Sequence, residues 1–238
     1  MNKLNVPEHS KVSAVLFDLD GTLADTADDL VAALNLALAD FGYDQVSLAK
    51  MRHVASDGSL AMVKAAANGL DDEKLEALRQ SLLSHYASVN GHQARLFAGI
   101  DSLLTQLTER GIAFGLVTNK PARYTRPYMD QIGLTEKMSC IISGDSTAFS
   151  KPHPQPMLLA AQQTNVAPEH ILYLGDARRD LEAAQNTNML GGVAGWGYIK
   201  DNSQALDWPH HFFFNEVEEI IGAIDSLNQQ STQFDSVN

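Results

Sequence analysis

Two aspartates, Asp18 and Asp20, close the apolar run 13–20, and Gly21 and Thr22 follow at once. In an extended segment residues i and i+2 project to the same side, so these two like charges are held close and repel. Later apolar runs end in groups of related chemistry. Thr118, Asn119 and Lys120 follow the run that begins at 113. Lys151 stands just beyond the run 139–145, and Gly175, Asp176 and Asp180 follow the run that begins at 171. A divalent cation removes the repulsion among Asp18, Asp20 and Asp176, and hard oxygen donors at this density suit Mg²⁺. With the charge balanced, Asp18 stays ionised and can attack as a nucleophile, while Asp20 is placed to give and take protons at a leaving oxygen. A hydroxyl (Thr118), backbone N–H groups around Leu19 and Asn119, and an ammonium (Lys151) are what the equatorial oxygens of a phosphoryl group require. Gly21 allows a sharp turn and a close backbone approach. Each feature alone has a plainer reading. Asp176 and Asp180 can cap a helix, and Lys151 can be a solvated lysine. Their joint placement, each group at the end of an apolar run, is what points to phosphoryl transfer.

The elements that must position these groups follow from the same runs. SAVLFDLD (13–20), AFGLVTN (113–119), SCIISGD (139–145), ILYLGD (171–176), LGGVAGW (190–196) and HFFFNE (211–216) are short and apolar on both faces. That pattern fits strands of a parallel sheet covered on both sides. Helix-period segments fill most of the gaps, so the expected class is α/β, with a doubly wound parallel-sheet core. In such a sheet ligands bind at the carboxyl ends of the strands. Between 26 and 93 no strand-like run occurs; three helix-like stretches do, the last with Asp71 or Asp72 as its cap. An all-helical block at this place reads as a small inserted cap. The expected division is a core of 1–24 and 94–226, a cap of 25–93, and a frayed tail of 227–238. Within the cap, Arg52 and His53 either reach a substrate carboxylate or sugar, or form a solvated helix end. Of Arg178 and Arg179, one is expected to face the site and the other solvent.

Composition narrows the partners. The chain has 238 residues, is 45% hydrophobic, and carries 17 Lys and Arg against 29 Asp and Glu, for a net charge of −12. Such a surface repels nucleic-acid backbones and anionic lipid, leaving a small anionic metabolite as the expected ligand. The single cysteine, Cys140, lies in an apolar run and fits a reducing compartment. With no signal-like start and no membrane-length apolar stretch, a cytoplasmic location is expected. The eight histidines show no zinc spacing, and GGVAGWGY does not match a dinucleotide fingerprint. A monomer and a homodimer are both compatible with the sequence.

Taken together, DLDGT, VTNK, KPHPQP and GDARRD resemble the four motifs of the haloacid dehalogenase-like phosphatases, over nearly the whole chain to about Phe214. The resemblance implies a Rossmann-like core with a small helical cap. It implies an aspartyl-phosphate formed on Asp18, with Asp20 as general acid and base, and phosphate binding by Thr118 and Lys151. It further implies Mg²⁺ held by Asp18, the carbonyl of Asp20 and Asp176, with Asp180 bound through water or orienting a ligand. Asp20 argues against dehalogenation, which that family performs without a second aspartate. TNKP, GDxRxD and the cap resemble phosphoglycolate phosphatases. GWGYI and VASDGSLAMV also resemble N-acetylmuramic acid 6-phosphate phosphatases, and the cap loop Val54–Gly58 departs from the glycolate type. 2-Phosphoglycolate is therefore the first expected substrate and N-acetylmuramic acid 6-phosphate the alternative. An alternative of another class is a receiver-like module that accepts a phosphoryl group without turnover.

Overall fold

A computed structural model of the chain describes residues 2–8 and 10–235. Its centre is a six-stranded, all-parallel sheet made of β1 (Ala14–Phe17), β4 (Ala113–Val117), β5 (Ile141–Ile142), β6 (Ile171–Gly175), β7 (Leu190–Ala194) and β8 (Phe212–Phe214). The strand order is β5-β4-β1-β6-β7-β8. From β1 the chain builds outward first to one side and later to the other, so the topological switch lies at β1. Helices α5 (Ile100–Glu109), α6 (Ala122–Gln131), α7 (Gln155–Thr164), α8 (Arg178–Gln185) and α10 (Glu219–Asp235) connect or follow these strands, with a short α9 (Asn202–Ala205) before β8.

The pleat of β1 sorts its residues between two cores. Val15 and Phe17 pack with Leu103 and Leu107 of α5 and Ile220 of α10. Ala14 and Leu16 face the other way, toward Met157 and Ala160 of α7 and Ala183 of α8. Both faces of β1 are therefore dry, which is why its sequence is an unbroken apolar run rather than an alternating one.

Residues between Asp25 and Arg95 form a helical block. It contains α1 (Ala27–Asp40), α2 (Leu48–Met51), α3 (Ser59–Ala66) and α4 (Asp72–Val89), with a 3₁₀ segment, Arg52–Asp57, between α2 and α3. Leu34 and Leu38 of α1 meet Leu78 and Leu82 of α4 in a separate apolar core. Asp71 caps α4, its carboxylate accepting from the Lys74 N–H at 2.9 Å. Two short strands, β2 (Ala24–Asp25) and β3 (Arg95–Leu96), pair antiparallel where the chain leaves and re-enters the sheet domain. The buried Asp29 fixes this crossing: its carboxylate accepts from the backbone N–H groups of Gly91, Gln93 and Ala94 at 2.8, 2.8 and 3.1 Å.

The end of the chain differs from expectation. The segment from 227, expected as a frayed tail, continues α10 to Asp235, because Ile220 and Ile224 anchor that helix in the sheet core; 236–238 lie outside the described residues. Cys140 is buried next to β5, and burial pushes its thiol up to about 12, so it is an unreactive packing residue. Among the described residues no helix is long and apolar enough to cross a membrane.

Candidate active site

Register brings distant residues to one edge. Phe17 pairs with Leu116 on one side and Leu174 on the other, so Asp18, Thr118 and Asp176 leave three adjacent strands at nearly the same level. The Asp18 N–H extends the ladder to the Leu174 carbonyl at 2.9 Å. The chain then folds on itself. Leu23 N–H bonds the Asp18 carbonyl at 3.2 Å, and Gly21 N–H bonds the Ala24 carbonyl at 3.0 Å. Gly21 has φ +82°, and a Cβ there would lie 2.1 Å from Asp176 Oδ2. Only glycine makes this turn against a neighbouring carboxylate. Thr22, expected as a supporting residue, is buried, and its carbonyl accepts from the Trp196 indole at 3.0 Å.

Lys151 is the electrostatic centre of the group. Its ammonium is fully buried, 3.0 Å from Asp18 Oδ1 and 2.7 Å from Asp180 Oδ1, and it donates to the Tyr173 hydroxyl at 2.7 Å and the Val117 carbonyl at 2.9 Å. Asn119 holds the Lys151 backbone reciprocally, donating to its carbonyl at 3.0 Å and accepting from its N–H at 2.9 Å. The Asn119 side chain is thereby committed to placing Lys151. Burial alone would raise the Asp18 carboxyl. Lys151 and Arg179, with hydrogen bonds from Lys151 and Thr118, instead hold it below its ordinary value, which is the condition a carboxylate nucleophile needs.

Asp176 shows the opposite balance. Burial, then the neighbouring Asp180 and Asp18, push it up to about 7. Its Oδ2 accepts from the Ser56 hydroxyl at 2.7 Å and the Tyr198 N–H at 3.0 Å, whereas its buried Oδ1 has no hydrogen-bond partner. One oxygen from each of Asp18, Asp176 and Asp180 lies within 4.8 Å of the others. An orphaned buried carboxylate oxygen in an acidic trio fits a hard divalent cation, which supplies the missing partner and the missing charge. Asp180 is more committed than Asp176. One oxygen meets Lys151 and the other accepts from the Ala177 N–H at 3.0 Å, at the start of α8. Gly175 permits this, since a Cβ there would lie 2.2 Å from Asp180 Cβ.

A cavity of about 570 Å³ opens between the sheet edge and the helical block. Asp18, Asp20, Thr118, Asn119, Lys120 and Arg179 line it from the sheet side; Leu60, Leu82, Leu83 and Tyr86 line it from the block, with Arg79 and Arg123 beside them. Arg179 is the site-facing member of its pair. It donates to the Ser56 carbonyl at 2.6 Å and stands 3.5 Å from Asp57, while Arg178 pairs with Glu182 on the surface.

Arg52 and His53 are not brought to this cavity. Arg52 turns instead to the junction, where it grips Asp25 with two hydrogen bonds of 3.0 and 2.8 Å and lies 4.9 Å from the Tyr198 ring centroid. The nearby carboxylate draws the guanidinium away from any substrate, and His53 stays half-buried in the same 3₁₀ segment. Sequence reasoning assigned no role to Lys120, Ser56, Tyr86 or Tyr198. Only Lys120 carried a signal, as a basic residue two positions after Thr118 at a strand end; the others arrive through tertiary contacts.

Comparison with known proteins gives a consistent set. A family model described as haloacid dehalogenase-like hydrolase matches residues 15–191. A phosphoglycolate phosphatase of Xanthomonas campestris is 40% identical over 195 residues, which covers 82% of this chain and 88% of the relative. An N-acetylmuramic acid 6-phosphate phosphatase of Pseudomonas aeruginosa is 35% identical over 216 residues, covering 90% and 96%. Among solved structures, a predicted phosphoglycolate phosphatase from Haemophilus somnus superposes with a TM-score of 0.75 at 25% identity, covering 88% of this chain and 98% of its own. A predicted phosphatase from Clostridium acetobutylicum, at 20% identity and a TM-score of 0.77 over 91% of this chain and all of its own, shares the fold.

Proposed function

This chain belongs to the haloacid dehalogenase-like hydrolases and is a phosphoric monoester hydrolase, and from that premise we propose a two-step, Mg²⁺-dependent mechanism run by Asp18 and Asp20. Asp18 attacks phosphorus in line and becomes the aspartyl-phosphate as the P–O bond to the alcohol breaks. Asp20 gives its proton to the departing alkoxide. It then takes a proton from water, which attacks the phosphorus, frees Asp18 and releases inorganic phosphate. Thr118 and Lys151 hold the non-reacting oxygens. A bound cation would be held by Asp18, Asp176 and the Asp20 carbonyl, and would supply charge neutralisation for the phosphate and the clustered carboxylates. Asp180 orients Lys151 through the ion pair at 2.7 Å and stands within reach of the same cation. The helical block 25–93 serves as a cap over the core 1–24 and 94–226 and keeps water from the reacting bond.

The observation that carries this reading is Asp18 kept ionised while buried beside an orphaned Asp176 oxygen. Phosphate release from p-nitrophenyl phosphate with Mg²⁺ tests it. Wild-type protein should turn over many times and Asp18→Asn should lose essentially all activity. Near-normal turnover by the variant overturns the assignment, and a single phosphorylation without turnover would instead mark a phospho-accepting module.

The substrate is a small phosphorylated carboxylate, with 2-phosphoglycolate the first candidate on the relatives' names. The cavity favours a second reading. About 570 Å³ walled by leucines and tyrosines exceeds what a two-carbon acid fills, and arginines at its side suit a carboxylate carried on a larger body. N-Acetylmuramic acid 6-phosphate has that form. Comparing kcat/KM for the two esters decides between them.

A further inference from the structure

Lys120 is unused by the mechanism above, yet it is a buried ammonium at the reacting edge, and a buried lysine needs partners that justify its desolvation. Its partners are specific. Nζ donates to Asp20 Oδ1 at 2.7 Å and to the Tyr86 hydroxyl at 2.6 Å, and lies 4.6 Å from the Tyr86 ring centroid. The Thr26 hydroxyl also donates to Asp20 Oδ1, at 2.5 Å. These three donors and acceptors come from different places in the chain. Lys120 follows β4 in the sheet domain, Thr26 opens α1, and Tyr86 sits in the last turn of α4 in the helical block.

We propose that Lys120, aided by Thr26 and Tyr86, is the positioning residue that fixes the Asp20 carboxylate for proton transfer. This rests on the phosphatase reading above. Both hydrogen bonds fall on Oδ1, so that oxygen is anchored and the rotamer is set, leaving Oδ2 to carry the proton to and from the reacting oxygen. An aspartate on a turn without such partners would sample several rotamers, and a misplacement of about 1 Å costs on the order of 10²-fold in rate. Because Tyr86 belongs to the helical block, the set is complete only when that block sits on the sheet edge. Proton transfer is thereby coupled to enclosure of the substrate. Lys120 touches neither phosphate nor alcohol in this scheme.

The test uses two leaving groups. Nitrophenolate departs without a proton, whereas an alkyl alkoxide needs one. The measured quantity is kcat/KM, which covers only the steps through loss of the alcohol. The substrates are p-nitrophenyl phosphate and whichever of 2-phosphoglycolate and N-acetylmuramic acid 6-phosphate the wild type hydrolyses faster. Lys120→Met should lower kcat/KM for the alkyl ester at least tenfold more than for the aryl ester. Lys120→Arg should recover part of that difference, and Tyr86→Phe should show a smaller loss of the same kind. A purely structural role lowers the active fraction and reduces both esters alike. An unchanged alkyl-to-aryl ratio in Lys120→Met, or in Lys120→Arg and Tyr86→Phe if the methionine variant does not fold, overturns the inference alone. A wild type that hydrolyses neither ester overturns the phosphatase reading and the inference with it.

Discussion

At the residue scale, the site is an arrangement of charges that cannot all be satisfied by protein. Lys151 serves Asp18 and Asp180, Lys120 serves Asp20, and Asp176 is left with one oxygen unpartnered. The consequence is measurable as a pH dependence of stability. Burial and the neighbouring Asp180 and Asp18 lift folded-state Asp176 from an ordinary 3.8 to about 7. Between roughly pH 4 and 7 the cation-free folded state therefore holds a proton that the unfolded chain has released. Its stability contribution is present below that window and declines as pH rises through it. A bound divalent cation would replace the proton. Mg²⁺ should raise the Tm of the protein clearly at pH 8 and little at pH 5, with Asp176→Asn abolishing the difference; equal stabilisation at both pH values would refute this. That Asp18, Asp20, Thr118, Lys151 and Asp176 gather at one sheet edge was legible in the sequence, because each follows an apolar run that becomes a strand. Asn119 was legible as a site residue, but the use of its side chain to pin the Lys151 backbone was not, since that depends on two loops meeting.

At the element scale, the junction between sheet and helical block joins apolar packing, in which Tyr124 and Tyr198 enter the block's core, to a set of fixed polar contacts. Asp29 in α1 is the clearest case. A fully buried carboxylate accepting three backbone N–H groups fixes where 91–94 returns to the sheet. Asp29→Ala strands three backbone donors, those of Gly91 and Ala94 buried, and should cost on the order of 3 kcal/mol, read as a Tm drop of several degrees. Activity at low temperature should survive if the sheet edge stays assembled. Tyr198 belongs to the same junction. Its hydroxyl accepts from the N–H groups of Thr26 and Ala27 at 2.6 and 2.9 Å, at the start of α1, and donates to Asp25 at 2.9 Å. Strands, helices and the Asp71 cap were readable from periodicity and capping chemistry. The helical course of 227–235 was not, because SLNQQSTQF has a weak apolar pattern and follows the anchoring of Ile220 and Ile224 upstream. For Arg52 the sequence left a substrate contact and a solvated helix end both open, and neither shows the Asp25 pairing, because a guanidinium in a sequence shows its charge but not the carboxylate that will claim it.

At the scale of the whole molecule, the sheet edge and the helical block share one cavity, so in the proposed reading reaction and selection would be divided between them. Arg79 enters from α4, held by Ser59 at 3.0 Å and by Glu76 at 3.0 and 3.1 Å, and it lines the cavity where Arg52 does not. Arg79→Ala should change the ratio of kcat/KM between N-acetylmuramic acid 6-phosphate and 2-phosphoglycolate by about tenfold, the worth of one charge-assisted hydrogen bond. Arg52→Ala should leave that ratio unchanged. A shift in the Arg52 variant without one in the Arg79 variant would reverse the assignment. The sequence by itself determined the parallel α/β core, the helical insertion and the acids and cations of the reacting edge, because apolar period and strand-end residue types are local properties of the chain. Only the tertiary structure decided which charges pair, that Lys120 and Thr26 converge on Asp20 with Tyr86 behind Lys120, and that Arg79 rather than Arg52 lines the cavity. Those outcomes depend on distances between segments far apart in sequence, and a buried charge takes whichever partner the fold brings within reach.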